Sequence, residues 1–277
     1  MKALQRTVAG WKAELALEFE RDGARTVLAK RRHDGPLVVQ KTLYPEGDAV
    51  CHCIVVHPPG GIAGGDELTI SASIAEGAAA LLTTPGAAKW YRSAGPWAGQ
   101  RVFFDIAGTL EWVPQETIVY NGALARMQAE IRLSGAARYL GWDILCLGRT
   151  GSGERYLSGQ TTAATRLWRD GRLIWNERGH VDGGSALLES PAGIAGRTVC
   201  GTLLAAAPTI GNELLAGCRE VAPDSGESAV TRLPGVLVAR YLGDSSEAAK
   251  TYFRRLWSVL RPALIGRDAA EPRIWRT

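Results

Sequence analysis

Apolar and polar positions alternate in short runs through the first two thirds of the chain, and glycine turns break the runs apart. The clearest run is Leu68-Thr69-Ile70-Ser71-Ala72-Ser73-Ile74, where every second residue is apolar. A period of two places those side chains on one face, which predicts a half-buried strand. Comparable runs occur in pairs. Arg25 to Arg31 and Leu37 to Leu43 flank His33-Asp34-Gly35-Pro36, and Leu68 to Ile74 and Ala79 to Thr84 flank Glu76-Gly77. Gln100 to Ile106 and Thr109 to Val113 flank Ala107-Gly108, and Met127 to Leu133 and Ala137 to Leu145 flank Ser134-Gly135. Thr165 to Arg169 and Leu173 to Asn176 flank Asp170-Gly171. A glycine after an acidic or small residue supplies the positive φ of a tight turn, so each pair is predicted to be a hairpin. The turns keep no fixed period, which argues against a propeller or a leucine-rich array. The expected fold is mainly β: long stacked sheets of hairpins, β-helix-like, with a few α-helices in the C-terminal third.

The period changes late in the chain. Thr209 to Arg219 reads as a short helix and Asp244 to Leu260 as a longer one. Asp244 is expected to cap the longer helix, with Glu247 three residues on as its capping-box partner. Phe253, Leu256, Trp257, Leu260 and Leu264 then share one helical face, a stripe predicted to pack on a sheet. Pro262 is expected to end or kink the helix. Glycine and proline are spread throughout rather than pooled in a linker, so residues 1–277 are read as a single domain.

Composition narrows the function classes. Hydrophobic residues make up 46% of the 277, which is ordinary for a globular protein and too high for disorder. The net charge of +4 is dispersed; the short run Lys30-Arg31-Arg32 reads as a solvated strand end. Neither a nucleic-acid nor a membrane partner is expected. Met1 to Gly10 lacks the apolar core of a signal peptide, and no 18-residue apolar stretch exists. The five cysteines are odd in number and scattered, which fits free thiols and a cytoplasmic location.

Candidate chemistry is sparse. In Cys51-His52-Cys53 the strand geometry points both thiols to one face and the imidazole to the other. Thiolate and imidazole suit nickel, zinc or copper, but no second ligand pair follows at the spacing of a structural site. A buried strand with thiols in its core is the favoured reading, and a transient metal contact through His57 and Asp66 is the metal-binding alternative. The glycine cluster Pro59 to Asp66 lacks both the P-loop and the dinucleotide signatures. Gly151-Ser152-Gly153 lacks the spacing of a nucleophile elbow. Asp143 and Glu154 are read first as solvated or salt-bridged groups, with a carboxylate pair for acid–base work or polar groups lining an internal channel as the alternatives. No catalytic motif stands out, so a binding protein without permanently bound cofactors is expected. A cytosolic β-helical carbohydrate-active enzyme, using paired carboxylates and some of the nine tryptophans, is the alternative.

Five segments in order resemble the UreD (UreH) family of urease accessory proteins over nearly the full length. They are Pro59-Gly60-Gly61-Ile62-Ala63-Gly64-Gly65-Asp66, Thr83 to Ser93, Pro114-Gln115-Glu116-Thr117-Ile118, Gly148-Arg149 to Gly153-Glu154, and Pro272 to Thr277. Cys51-His52-Cys53 is a departure from the family pattern. The resemblance implies a scaffold that joins UreF-type and GTPase UreG-type accessory proteins, docks on apo-urease and assists nickel delivery through an internal tunnel. It implies that Asp66, Glu116, Asp143 and Glu154 line such a path for nickel in transit, and His57, the transient metal contact read from the residues, joins them. It also implies a UreF-facing surface formed by the helices near Thr209 to Arg219 and Asp244 to Leu264. A cation in transit needs weak sites, and oxygen ligands hold it less tightly than a cage of Cys and His.

Overall fold

A computed structural model describes residues 10–276. Apart from Gly10, the stretch read for a signal peptide lies outside the described residues. The N-terminal part comprises β1 (Lys12–Asp22), β2 (Arg25–Asp34), β3 (Val38–Leu43), β4 (Cys51–Val56), β5 (Glu67–Ile74) and β6 (Ala79–Thr83). The middle comprises β7 (Ala88–Trp90), β8 (Ala98–Ile106), β9 (Thr109–Trp112), β10 (Thr117–Val119), β11 (Leu124–Leu133) and β12 (Arg138–Leu147). β13 (Gln160–Arg169), β14 (Arg172–Asp182), α1 (Ala186–Glu189) and β15 (Val199–Ala206) follow. The chain ends with α2 (Asn212–Arg219), β16 (Glu227–Leu233), β17 (Val236–Gly243) and α3 (Ser246–Ile265).

The described strands form two sheets. The first has seven strands in the order β14-β13-β11-β8-β5-β1-β2. The second has ten, with the main path β16-β17-β15-β12-β9-β6-β4-β3 and, off it, β10 beside β12 and β7 beside β10. From β4 to β13 the chain passes back and forth between the sheets. Successive passes stack in parallel: β1, β5, β8, β11 and β13 in the first sheet, and β4, β6, β9 and β12 in the second. The mainly-β, stacked, β-helix-like expectation therefore holds, and the helices do fall in the C-terminal third.

The turns behave differently from the expectation. Of the five turns predicted to be hairpins, only Asp170-Gly171 closes one, β13 to β14, where both residues take positive φ (49° and 76°). The turns at Asp34-Gly35, Glu76-Gly77, Ala107-Gly108 and Ser134-Gly135 instead carry the chain from one sheet to the other. At these corners successive turns bond to each other, as Thr109 N to Ala78 O at 2.9 Å and Arg138 N to Gly108 O at 2.9 Å. A Cβ on Gly108 would stand 2.2 Å from Ala78 O, so glycine is required there by the close approach of the stacked backbone.

The main core lies between the sheets. Phe19, Ile70, Phe104 and Ile131 from the first sheet meet Val55, Leu82, Leu110 and Tyr139 from the second. Cys51 and Cys53 are buried in this core, His52 is buried on the opposite side of β4, and all five thiols are free. Lys30, Arg31 and Arg32 are exposed on β2, as a solvated strand end would be.

A second core forms on the outer face of the ten-stranded sheet. There Phe253, Leu256, Trp257, Leu260 and Leu264 of α3 pack on Trp142, Leu203 and Tyr241. Two details at the ends of α3 differ from the expectation. Ser245, not Asp244, caps the helix, its hydroxyl accepting from Ala248 N at 3.2 Å. Asp244 is occupied elsewhere: it accepts from Arg197 at 2.8 Å and from Thr198 N at 3.2 Å, which keeps it out of the cap. Pro262 lies inside the last turn, where one lost hydrogen bond is tolerated, and Gly266 (φ 75°) ends the helix. α2 begins at Asn212, three residues later than expected, because Gly211 is still extended. Ser245→Ala is expected to cost about 1 kcal/mol, the usual loss for an N-cap hydroxyl, measurable by urea unfolding.

Candidate functional site

Between the sheets lies a cavity of about 140 Å³. Gln100, Val102, Met127 and Thr165 border it from the first sheet, and Trp112, Thr117 and Asp143 from the second. Thr84, Pro114 and Gln115 close one side. Inward-facing positions of a stacked sheet are normally apolar, so hydroxyl, amide and carboxyl oxygens gathered here mark the cavity out from the rest of the core.

Asp143 is the carboxylate of this cavity. The residue is solvent-exposed, so the cavity is open to water at this carboxylate. The protein packed around the open cleft nevertheless lowers the polarity of its surroundings and pushes the carboxyl up to about 7. The nearby Glu177 carboxylate adds to the rise and the Arg240 guanidinium opposes it. Arg240 pairs with Glu177 across the sheets and donates to Thr202 Oγ1 at 2.7 Å. The neighbouring Cys200 thiol is pushed up to about 12, chiefly by burial.

The other residues singled out from the sequence lie outside this cavity. Asp66 braces its own glycine loop: Oδ1 accepts from Trp11 N and Oδ2 from Ala63 N, each at 2.8 Å. His57 is its electrostatic neighbour, with Nε2 buried and unpartnered; burial lowers the imidazole and Asp66 opposes that shift. Glu116 stands 4.0 Å from Lys250 of α3.

Glu154 clamps the loop after β12, accepting from Arg149 at 2.8 Å and from Asn121 N at 2.9 Å. It does not line the cavity with Asp143, as an acid–base pair would. The Arg149 hydrogen bonds hold Glu154 below its ordinary value of 4.5. Its stabilising contribution is therefore present above that value and lost as pH falls through the depressed one. Glu154→Ala is expected to cost about 1–3 kcal/mol by leaving the Asn121 amide unpaired, with a gap from wild type that narrows on acidification.

Several charged groups escaped the sequence reading. Glu111 and Arg261 are fully buried, and Arg261 Nε donates to both Glu111 oxygens at 3.1 Å. Arg261 also bridges to Glu46 at 2.6 Å, and Glu46 meets His52 Nε2 at 2.6 Å. Trp257 Nε1 donates to Glu111 at 2.6 Å. Burial raises the Glu111 carboxyl. At Glu46 burial acts the same way, but His52 and Arg261 outweigh it and hold that carboxyl low. The available signal was a lone charge in an apolar setting: Glu111 beside Leu110 and Trp112, Arg240 inside Val236 to Tyr241, and Arg261 on the apolar stripe of α3. Among the described residues, no three His, Cys, Asp or Glu side chains converge as a metal-holding group. No described helix is long and apolar enough to cross a membrane.

Comparison with known proteins bears on this geometry. The family model described as UreD urease accessory protein matches residues 12–276. The chain belongs to the UreD family of urease accessory proteins. It is 55% identical over 279 residues to urease accessory protein UreD of Azoarcus sp. (strain BH72), covering 100% of this chain and 98% of that one. It is 57% identical over 273 residues to the Dechloromonas aromatica UreD, covering 96% and 95% of the two chains. Identity to the Pseudomonas aeruginosa UreD is 50% over 270 residues, again covering 96% and 95%. The role of this UreD-family chain is accordingly that of an accessory protein to urease, and the five segments that resembled the family lie within or at the edge of the matched region.

Proposed function

We propose that this chain is a scaffold for urease maturation, docking on apo-urease with UreF-type and UreG-type partners and passing nickel through its interior. The observation that supports this reading is the inter-sheet cavity, which offers one carboxylate, Asp143, among neutral oxygen donors from Thr84, Gln115, Thr117 and Thr165. Such a set holds a divalent cation weakly, as transit requires, because a cage of thiolate and imidazole would trap it. His57, Asp66, Glu116 and Glu154 are secondary contacts of the same proposal, placed outside the cavity.

The test is Asp143→Asn in cells expressing urease and its accessory proteins. The expected result is a severalfold lower nickel content of urease with the accessory complex still assembled. Unchanged nickel content would remove Asp143 and the cavity from the route. A pH dependence is also expected. Because its surroundings raise the Asp143 carboxyl above the usual carboxylate range, toward about 7, a larger share of it is neutral at pH 6 than at pH 8. Nickel transfer in a purified activation mixture should therefore rise across about pH 6 to 8 in wild type, and the asparagine variant should lack that inflection.

A further inference from the structure

The two sheets differ in what covers them. α3 seals the outer face of the ten-stranded sheet, whereas no described element covers the outer face of the seven-stranded one. Five of its strands, β1, β5, β8, β11 and β13, pair in parallel. Parallel sheets are usually covered on both faces. The outward positions here are small or long and polar: Thr69 and Ser71 on β5, Gln128 on β11, and Thr162 and Ala164 on β13. Phe103 stands among them with 41% of its surface exposed.

Charge is unevenly spread on this face. Arg101, Gln128, Ala164 and Arg178 form one row across β8, β11, β13 and β14. Phe103, Glu130 and Arg166 form the next. Glu130 is taken by Arg132 at 2.6 Å, and Arg101, Arg166 and Arg178 make no ion pair among the described residues. A shallow hollow of about 280 Å³ lies between Arg101, Phe103, Gln128 and Arg166. A second, of about 330 Å³, lies between Arg126, Gln128 and Arg178.

We propose that this face, centred on Arg101, Arg166 and Arg178, is a docking surface for an acidic protein surface. It deepens the scaffold reading and rests on it. Guanidinium forks left without partners match carboxylates bidentately, and arginine with an exposed aromatic is the composition of an interface centre. The four strands β8, β11, β13 and β14 span roughly 19 Å, and eight residues along them roughly 27 Å, so the basic part of the face offers on the order of 500 Å², most of one partner's share of a standard interface. The arginines are interleaved with Asp105 and with the Arg132–Glu130 pair, a mixed-charge pattern that a folded protein surface can match point by point and a uniformly charged phosphate backbone cannot, which favours a folded protein over nucleic acid.

The test is a pull-down with purified apo-urease and with the UreF-type and UreG-type proteins, using wild type and the R101E/R166E/R178E triple variant. The expected result is that the variant loses at least one of these partners by about tenfold or more while keeping the others, and that wild-type capture of that partner weakens between about 50 and 300 mM salt. Retention of every partner by a folded triple variant overturns the docking surface alone. Wild-type capture that disappears on nuclease treatment assigns the face to nucleic acid and overturns it as well. A wild type that captures none of the three partners overturns both this inference and the scaffold reading. Circular dichroism and urea unfolding of the triple variant, which report on the fold alone, separate loss of binding from loss of fold.

Discussion

Replacing Arg261 by alanine is expected to destabilise the chain by about 3–5 kcal/mol, the cost of leaving buried carboxylates without their counter-ion. Arg261 is 0% exposed and holds two of them, Glu111 and Glu46, from opposite parts of the sequence. It also donates to the Asp268 carbonyl, so the same side chain ties the segment after α3 to the sheet. Removal leaves Glu111 with only the Trp257 indole and Glu46 with only His52. Arg261→Lys is expected to recover only part of the loss, because an ammonium cannot span both carboxylates as the planar fork does. An apolar replacement of the whole group, Arg261→Met with Glu111→Leu and Glu46→Leu, should be far less costly than Arg261→Ala alone. Urea unfolding of the three variants checks the ranking. A single variant Arg261→Ala with wild-type stability would mean that the ion pairs carry no net weight in holding α3 to the sheet.

Phe104→Ala is expected to cost about 3–5 kcal/mol by opening a hole between the sheets. Phe104 is fully buried, with its ring 5.6 Å from that of Trp112, an edge contact across the sheet-to-sheet core. Every parallel pass of the chain packs on its neighbours, so the hole cannot be closed by moving one loop. Phe104→Leu keeps most of the volume and should cost about 1.5 kcal/mol or less. Thermal unfolding of both variants gives the comparison, and equal melting temperatures for the two would show that the ring itself is not what fills the space.

The strands of the seven-stranded sheet were legible because one face meets the core and the other meets water. Leu68 to Ile74 alternates for that reason, and β5 is found there. The central strands of the second sheet are covered on both faces and lose the alternation, as in the mostly apolar run Val199 to Ala206. That difference was present in the sequence and distinguishes the two sheets in hindsight. The turns were not legible in the same way. A glycine corner between sheets and a hairpin turn use similar residues, and Asp34-Gly35 and Asp170-Gly171 fall on opposite sides of that choice. The distinction depends on which strands lie alongside, and those are tens of residues away.

Sequence alone determined the strand and helix content, the apolar stripe of α3, the burial of Cys51 and Cys53, and the family. Each follows from local periodicity or from motifs that survive as contiguous residues. The tertiary structure decided which carboxylates act together. Asp143 meets Glu177 and Arg240 across two sheets, and Glu111 meets Arg261 at a separation of 150 residues. Asp66 and Glu154, prominent in contiguous motifs, are held by their own loops instead. Electrostatic partnership is set by distance in space and by the exclusion of water, and in a chain that winds between two stacked sheets neither quantity is a function of sequence spacing.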